Sequence, residues 1–155
     1  MDRVPMTGRG YQALKKEMEH LKTVVRPQNI RDIEEARAHG DLSENAEYHA
    51  AKERQGFIEG KIRELSYKIS AAEVINPGAF PSNRAVFAST VVLENVDTEE
   101  SVEYQLVGED ESDIEKGWIS VSSPLGKAIL GKKAGDEIVL NAPGGKRTYE
   151  LIEIR

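Results

Sequence analysis

Residues 48–72 read YHAAKERQGFIEGKIRELSYKISAA, and the spacing of this stretch decides the fold. Tyr48, Ala51, Gln55, Ile58, Ile62, Leu65, Ile69 and Ala72 recur at alternating steps of three and four, the seam of a coiled coil with Gln55 as its polar interruption. Lys52, Glu53, Arg54, Glu59, Lys61, Arg63, Glu64 and Lys68 lie between them as a charged outer face. Upstream, Leu14, Met18, Leu21 and Val25, then Ile30 and Ile33, form an answering apolar stripe. The step changes around Pro27, which predicts a kink, because proline removes one backbone bond and clashes with the preceding turn. Thr7 is a suitable N-cap for this first helix, and Gly8 and Gly10 soften its first turn by roughly 1 kcal/mol each.

The join between the two helices is short. Gly40, after Ala38 and His39, can end a helix in the left-handed region. Asp41 is an N-cap type, and Glu44 three positions on completes a capping box. The expectation is an antiparallel helical hairpin with its turn at 39–41. At ~1.5 Å per residue, each helix runs on the order of 45 Å.

Beyond residue 76 the pattern changes. Asn76-Pro77-Gly78-Ala79 and Pro81-Ser82-Asn83 read as a linker. Strand-like stretches follow at 85–93, 102–107, 118–121, 137–140 and 148–154, with Asn141 to Gly145 as a hairpin turn signal. One short helix fits, with Ser122 or Ser123 as cap, Pro124 at its first position, Leu125 and Ile129 inward and Gly131 as the stop. The fold class is therefore α+β: a coiled-coil hairpin over 1–76, a linker at 77–83, and a small β-rich domain over 84–155.

The 155 residues suffice for one ordinary domain or two small ones. No apolar run is long enough to span a bilayer, and the start lacks the layout of a secretory signal, so a cytoplasmic, membrane-free protein is expected. There is no cysteine, which rules out disulfides and thiol-ligated metals. Residues 1–76 carry 13 Lys+Arg against 13 Asp+Glu, while 77–155 carry 8 against 14. That acidic second half argues against a nonspecific grip on nucleic acid, which needs a basic field.

Chemistry converges on the hairpin turn. Asp41 and Glu44 are first of all cap residues by spacing alone. At an exposed tip, however, two carboxylates one helical turn apart can share a divalent cation such as Mg²⁺, which takes oxygen ligands and keeps several waters. Two carboxylates hold Mg²⁺ weakly, so the pair makes sense when another protein completes the shell. Arg37, Lys52 and Arg54 read as coiled-coil surface charges or, alternatively, as a small basic patch for a phosphate backbone. His20, His39 and His49 share no metal-ligand spacing. No nucleophile–base pair or phosphate-binding glycine loop is present. The acidic run Glu109-Asp110-Glu111 reads as a solvated loop.

The segment from Glu35 to Glu53, EARAHGDLSENAEYHAAKE, with Gln55-Gly56-Phe57-Ile58-Glu59-Gly60 after it, resembles the signature of the Gre family of transcript cleavage factors. Ser123-Pro124-Leu125-Gly126-Lys127-Ala128-Ile129-Leu130-Gly131-Lys132 is similar to that family's other recurrent segment. The resemblance implies an N-terminal antiparallel coiled coil and a C-terminal domain of FKBP-like fold without isomerase activity. It implies a monomer that is not itself an enzyme. Such a factor binds RNA polymerase, enters its secondary channel and stimulates the polymerase's own cleavage of the backtracked RNA 3′ end. On matching positions, Asp41 and Glu44 would help hold a catalytic Mg²⁺ shared with the polymerase. Arg37 and Lys52 would contact the extruded RNA, and Ser123 and Pro124 would face the polymerase rim. The modest basic patch and acidic second domain fit the less basic of the family's two types, which favours short cleavage products. A relative that only occupies and inhibits the channel is the competing expectation; the intact acidic tip counts against it. Docking through the acidic domain is expected to weaken with salt.

Overall fold

The computed structural model describes residues 2–41, 44–78 and 83–155. The chain divides into two compact units, one of Met1–Asp2 with Tyr11–Ala72, the other of Arg3–Gly10 with Glu73–Arg155. The linker expected at 77–83 falls in the second unit, with 79–82 outside the described residues.

The first unit is a pair of helical stretches. One runs as α1 (Gly8–His20), a π-helical turn (Leu21–Val25) and α2 (Arg26–Ala38). The other is α3 (Ala46–Ala71). The seam read from α3 is observed: Ala51, Ile58, Ile62 and Leu65 are buried, and Tyr48, Gln55 and Ile69 are half-buried. Ala72, expected as its last position, opens the strand β2 (Ala72–Val74) instead.

The answering stripe differs from expectation at one point. Ile30 is exposed, and Asn29 takes its place in the seam with Ile33 and Ala36. The cause lies upstream. Val25, Asn29 and Ile33 follow Leu21 in steps of four, one residue more than an alternating seam allows. The π turn absorbs that residue with a wider bond from Arg26 N–H to the Leu21 carbonyl. Pro27 sits in the first turn of α2 just after it, so the expected distortion is a π turn rather than a simple proline kink. Arg26 clamps the pair from one side, donating from Nε and Nη2 to the two carboxylate oxygens of Glu59, each at 2.8 Å.

The second unit is a five-stranded sheet of order β5-β4-β3-β7-β6, built from β3 (Thr90–Asn95), β4 (Ser101–Val107), β5 (Trp118–Ser120), β6 (Glu137–Ala142) and β7 (Gly145–Ile154). β4 and β5 run parallel and the other pairs antiparallel. Alternation places Val91, Leu93, Leu106, Ile119, Ile138 and Leu151 on one face, where they pack with Ala85 and Ile129 into the core. The expected strand at 85–93 is real only from Thr90. Before it, the buried Ala88 has φ +73°, which an extended strand does not allow. The hairpin turn falls at Pro143-Gly144, between Ala142 and Gly145.

The short helix forms as expected: α4 (Pro124–Ile129) has Ser123 as cap, with Ser123 Oγ accepting from Gly126 N–H at 3.0 Å. A Cβ at Gly126 would overlap the Ser120 carbonyl, so only glycine lets this helix lie so close to β5.

The strand β1 (Val4–Met6) and the first turn of α1 belong to this unit. Thr7 is the N-cap expected, with Oγ1 accepting from Gly10 N–H at 3.1 Å. The acidic run is not all solvated loop: Glu111 is half-buried and accepts from Thr7 N–H (3.1 Å), Gly108 N–H (3.0 Å) and the Thr7 hydroxyl. Beside it, the Arg9 guanidinium stacks 3.6 Å from the Trp118 ring centroid and donates to Gln105 Oε1 at 3.0 Å.

Candidate functional site at the hairpin tip

The loop between α2 and α3 is longer than the expected turn at 39–41. α2 ends with His39 N–H bonded to the Ala36 carbonyl at 3.2 Å. Gly40 follows at φ +122°, a conformation that side chains rarely adopt. Asp41 and Glu44 are both exposed, and Leu42 and Ser43 lie outside the described residues.

The capping box expected from Asp41 and Glu44 is not the device that starts α3. The cap is Asn45, whose Oδ1 accepts from Tyr48 N–H at 3.1 Å. Asn and Asp cap equally well, so the choice is made by position: Asn45 immediately precedes the first helical residue. The same carboxamide turns back to α2, where Nδ2 donates to the Ala36 carbonyl at 2.6 Å. Asn45 is not among the residues that the sequence singles out, because Asp41 four residues earlier is an equally good cap type.

Arg37 and Lys52 come together. They line one cleft of about 200 Å³ between α2 and α3, with Ile30, Ile33, Glu34, Tyr48 and Gln55. Lys52 Nζ donates to Gln55 Oε1 at 2.9 Å, an exposed bond between two residues of that lining. Arg54 does not join them. It lines a separate cleft with Asp32, Glu35 and Glu47, and its guanidinium lies 3.6 Å from Asp32.

In the second unit, the Ser123 hydroxyl is fully engaged: it also donates to the Ser120 carbonyl at 2.6 Å. Ser123 is therefore a structural cap first, and Pro124 beside it is exposed. Among the described residues, no group of three or more His, Asp or Glu side chains is arranged to hold a metal ion.

Two family models cover almost the entire chain. The N-terminal domain model of transcription elongation factors GreA and GreB matches residues 4–74, and the C-terminal GreA/GreB model matches 81–155. This chain belongs to the GreA/GreB family of transcription elongation factors. Transcription elongation factor GreA of Neisseria meningitidis serogroup A is 55% identical over 100% of this chain and 99% of its own length. GreA of Halorhodospira halophila is 54% identical over the same shares. Among solved structures, the GreA factor homolog 1 of Thermus thermophilus aligns at 28% identity and a TM-score of 0.45, covering 99% of each chain. Family membership places the tip segment of this GreA/GreB chain within the region matched by the N-terminal model, and the Ser123–Pro124 cap within the region matched by the C-terminal one.

Proposed function

We propose that this elongation factor binds RNA polymerase, carries its hairpin tip into the polymerase secondary channel, and stimulates the polymerase's own cleavage of a backtracked RNA 3′ end. The observation that supports this reading best is the exposure of both Asp41 and Glu44 between the end of α2 and the start of α3, which Asn45 caps. An all-oxygen pair of carboxylates suits Mg²⁺, and two such groups form part of a shell that the polymerase completes. Mg²⁺ bound there would activate water and stabilise the leaving oxygen of the phosphodiester. Asp41 and Glu44 supply ligand oxygens and accept hydrogen bonds from the attacking water. Arg37 and Lys52, on their shared cleft, hold the phosphates of the extruded RNA. Pro124, exposed at the start of α4, faces the polymerase surface, and the acidic second domain makes that docking sensitive to salt.

The test is a purified, stalled elongation complex with Mg²⁺, with and without the factor. Wild type is expected to shorten the RNA. Asp41→Ala and Glu44→Ala are each expected to lower the stimulated rate on the order of 100-fold while still competing with wild type for polymerase. Undiminished cleavage by both variants would remove the ligand role. Slower elongation without cleavage would favour a channel-binding inhibitor.

A further inference from the structure

We propose that Asn45 is a positioning residue for cleavage stimulation, because its one carboxamide ties the last turn of α2 to the first turn of α3 and so fixes the two ends of the loop that carries Asp41 and Glu44. The inference rests on the reading of those two acids as donated ligands.

The geometry defines the side chain's orientation. The Ala36 carbonyl can only accept and the Tyr48 N–H can only donate, so Nδ2 must face the first and Oδ1 the second. A cap needs only the oxygen. The donated bond to Ala36 adds nothing to the start of α3, and its effect is to hold one helix end to the other. Ala36 is itself buried in the seam, so the bond is anchored to a rigid point. Between these anchors Gly40 sits at φ +122°, a conformation that few other residues could share. Ligand oxygens delivered to a site built by another protein act only in the right place: a displacement of about 1 Å can cost on the order of 100-fold in rate.

The two roles of Asn45 can be separated. Asn45→Asp keeps an oxygen that caps α3 and has no donor for Ala36, and Asn45→Ser keeps the cap with a short hydroxyl in place of the amide that reaches Ala36. In the stalled-complex assay, each variant is expected to stay folded by circular dichroism and to keep the factor concentration for half-maximal effect within about twofold, whereas the cleavage rate at saturating factor falls at least tenfold. The Mg²⁺ concentration for half-maximal cleavage is expected to rise. Asp41→Ala runs in parallel. If Asn45→Ser cleaves like wild type while Asp41→Ala is inactive, the positioning role is wrong and the acids keep theirs. If Asp41→Ala is fully active, both readings fall together. Unfolding of both Asn45 variants, or a loss of affinity in step with rate, would reduce Asn45 to a structural cap and overturn the proposal.

Discussion

Asn29 Nδ2 donates to the Ala51 carbonyl at 3.0 Å across the two helices, from a side chain only 2% exposed. A buried polar residue in a mostly apolar seam fixes register and costs some stability. Ala51 lies within α3, so its carbonyl keeps a helical partner when the asparagine is removed. Asn29→Leu is therefore expected to melt at or above the wild-type temperature. Asn29→Asp puts a carboxylate against a carbonyl and is expected to destabilise by about 1–3 kcal/mol. Urea melts followed at the helical circular dichroism band distinguish the two.

The Arg26–Glu59 pair gives the helices a pH dependence. The Arg26 guanidinium, bonded to both oxygens, holds the Glu59 carboxyl below the ordinary carboxylate range. Lys68 and Lys61 do the same for Glu64. A depressed folded-state pKa contributes stability above the unfolded-state value, about 4.3 for glutamate, and that contribution disappears as pH falls through the folded-state value. Thermal melts from pH 7 downward are expected to show a falling melting temperature below about pH 4.5, and Glu59→Gln to flatten part of that slope.

Glu111 and Gly10 are expected to act as one unit. Removing the carboxylate in Glu111→Ala strands the N–H groups of the buried Thr7 and Gly108, at about 1–3 kcal/mol. A Cβ at Gly10 would fall on the Glu111 carboxylate and displace it, so Gly10→Ala is expected to mimic that loss. The double variant should then be less destabilised than the sum of the two, and a double-mutant cycle reads the difference.

Gly126→Ala is expected to cost about 1–3 kcal/mol in the second unit, because the added methyl meets the Ser120 backbone rather than a movable side-chain end. Trp118, in the neighbouring strand, is the chain's one tryptophan and reports that unfolding by fluorescence.

The sequence was most legible where one interaction dominates. Ile58, Ile62 and Leu65 declared their helix face, Ser123 and Pro124 their short helix, and Pro143-Gly144 their hairpin, because local propensity and tertiary packing agree there. Ile30 misled because hydrophobicity names a residue type, while the inserted π turn decided which residue faced α3. At the tip, Asp41, Glu44 and Asn45 are all cap-compatible or cap-supporting, and local spacing could not rank them. Asn45 is the cap because it directly precedes the first helical residue, and its amide also satisfies a carbonyl nine residues back, a contact with no local trace. Glu111 was obscured in the same way: its partner Thr7 lies 104 residues away.

The π turn at Leu21–Val25 makes the hairpin tolerant of a change in chain length at a defined place. Removing one residue inside it would bring the span from Leu21 to Ile33 to the length of an alternating seam and let the stretch wind as plain α-helix, with both flanks still facing α3. The same deletion a few turns away would rotate one flank by about 100° and turn its charged face inward. Evolution or a protein engineer could shorten this helix at the wide turn and leave Leu14, Met18, Asn29, Ile33 and Ala36 as its seam residues.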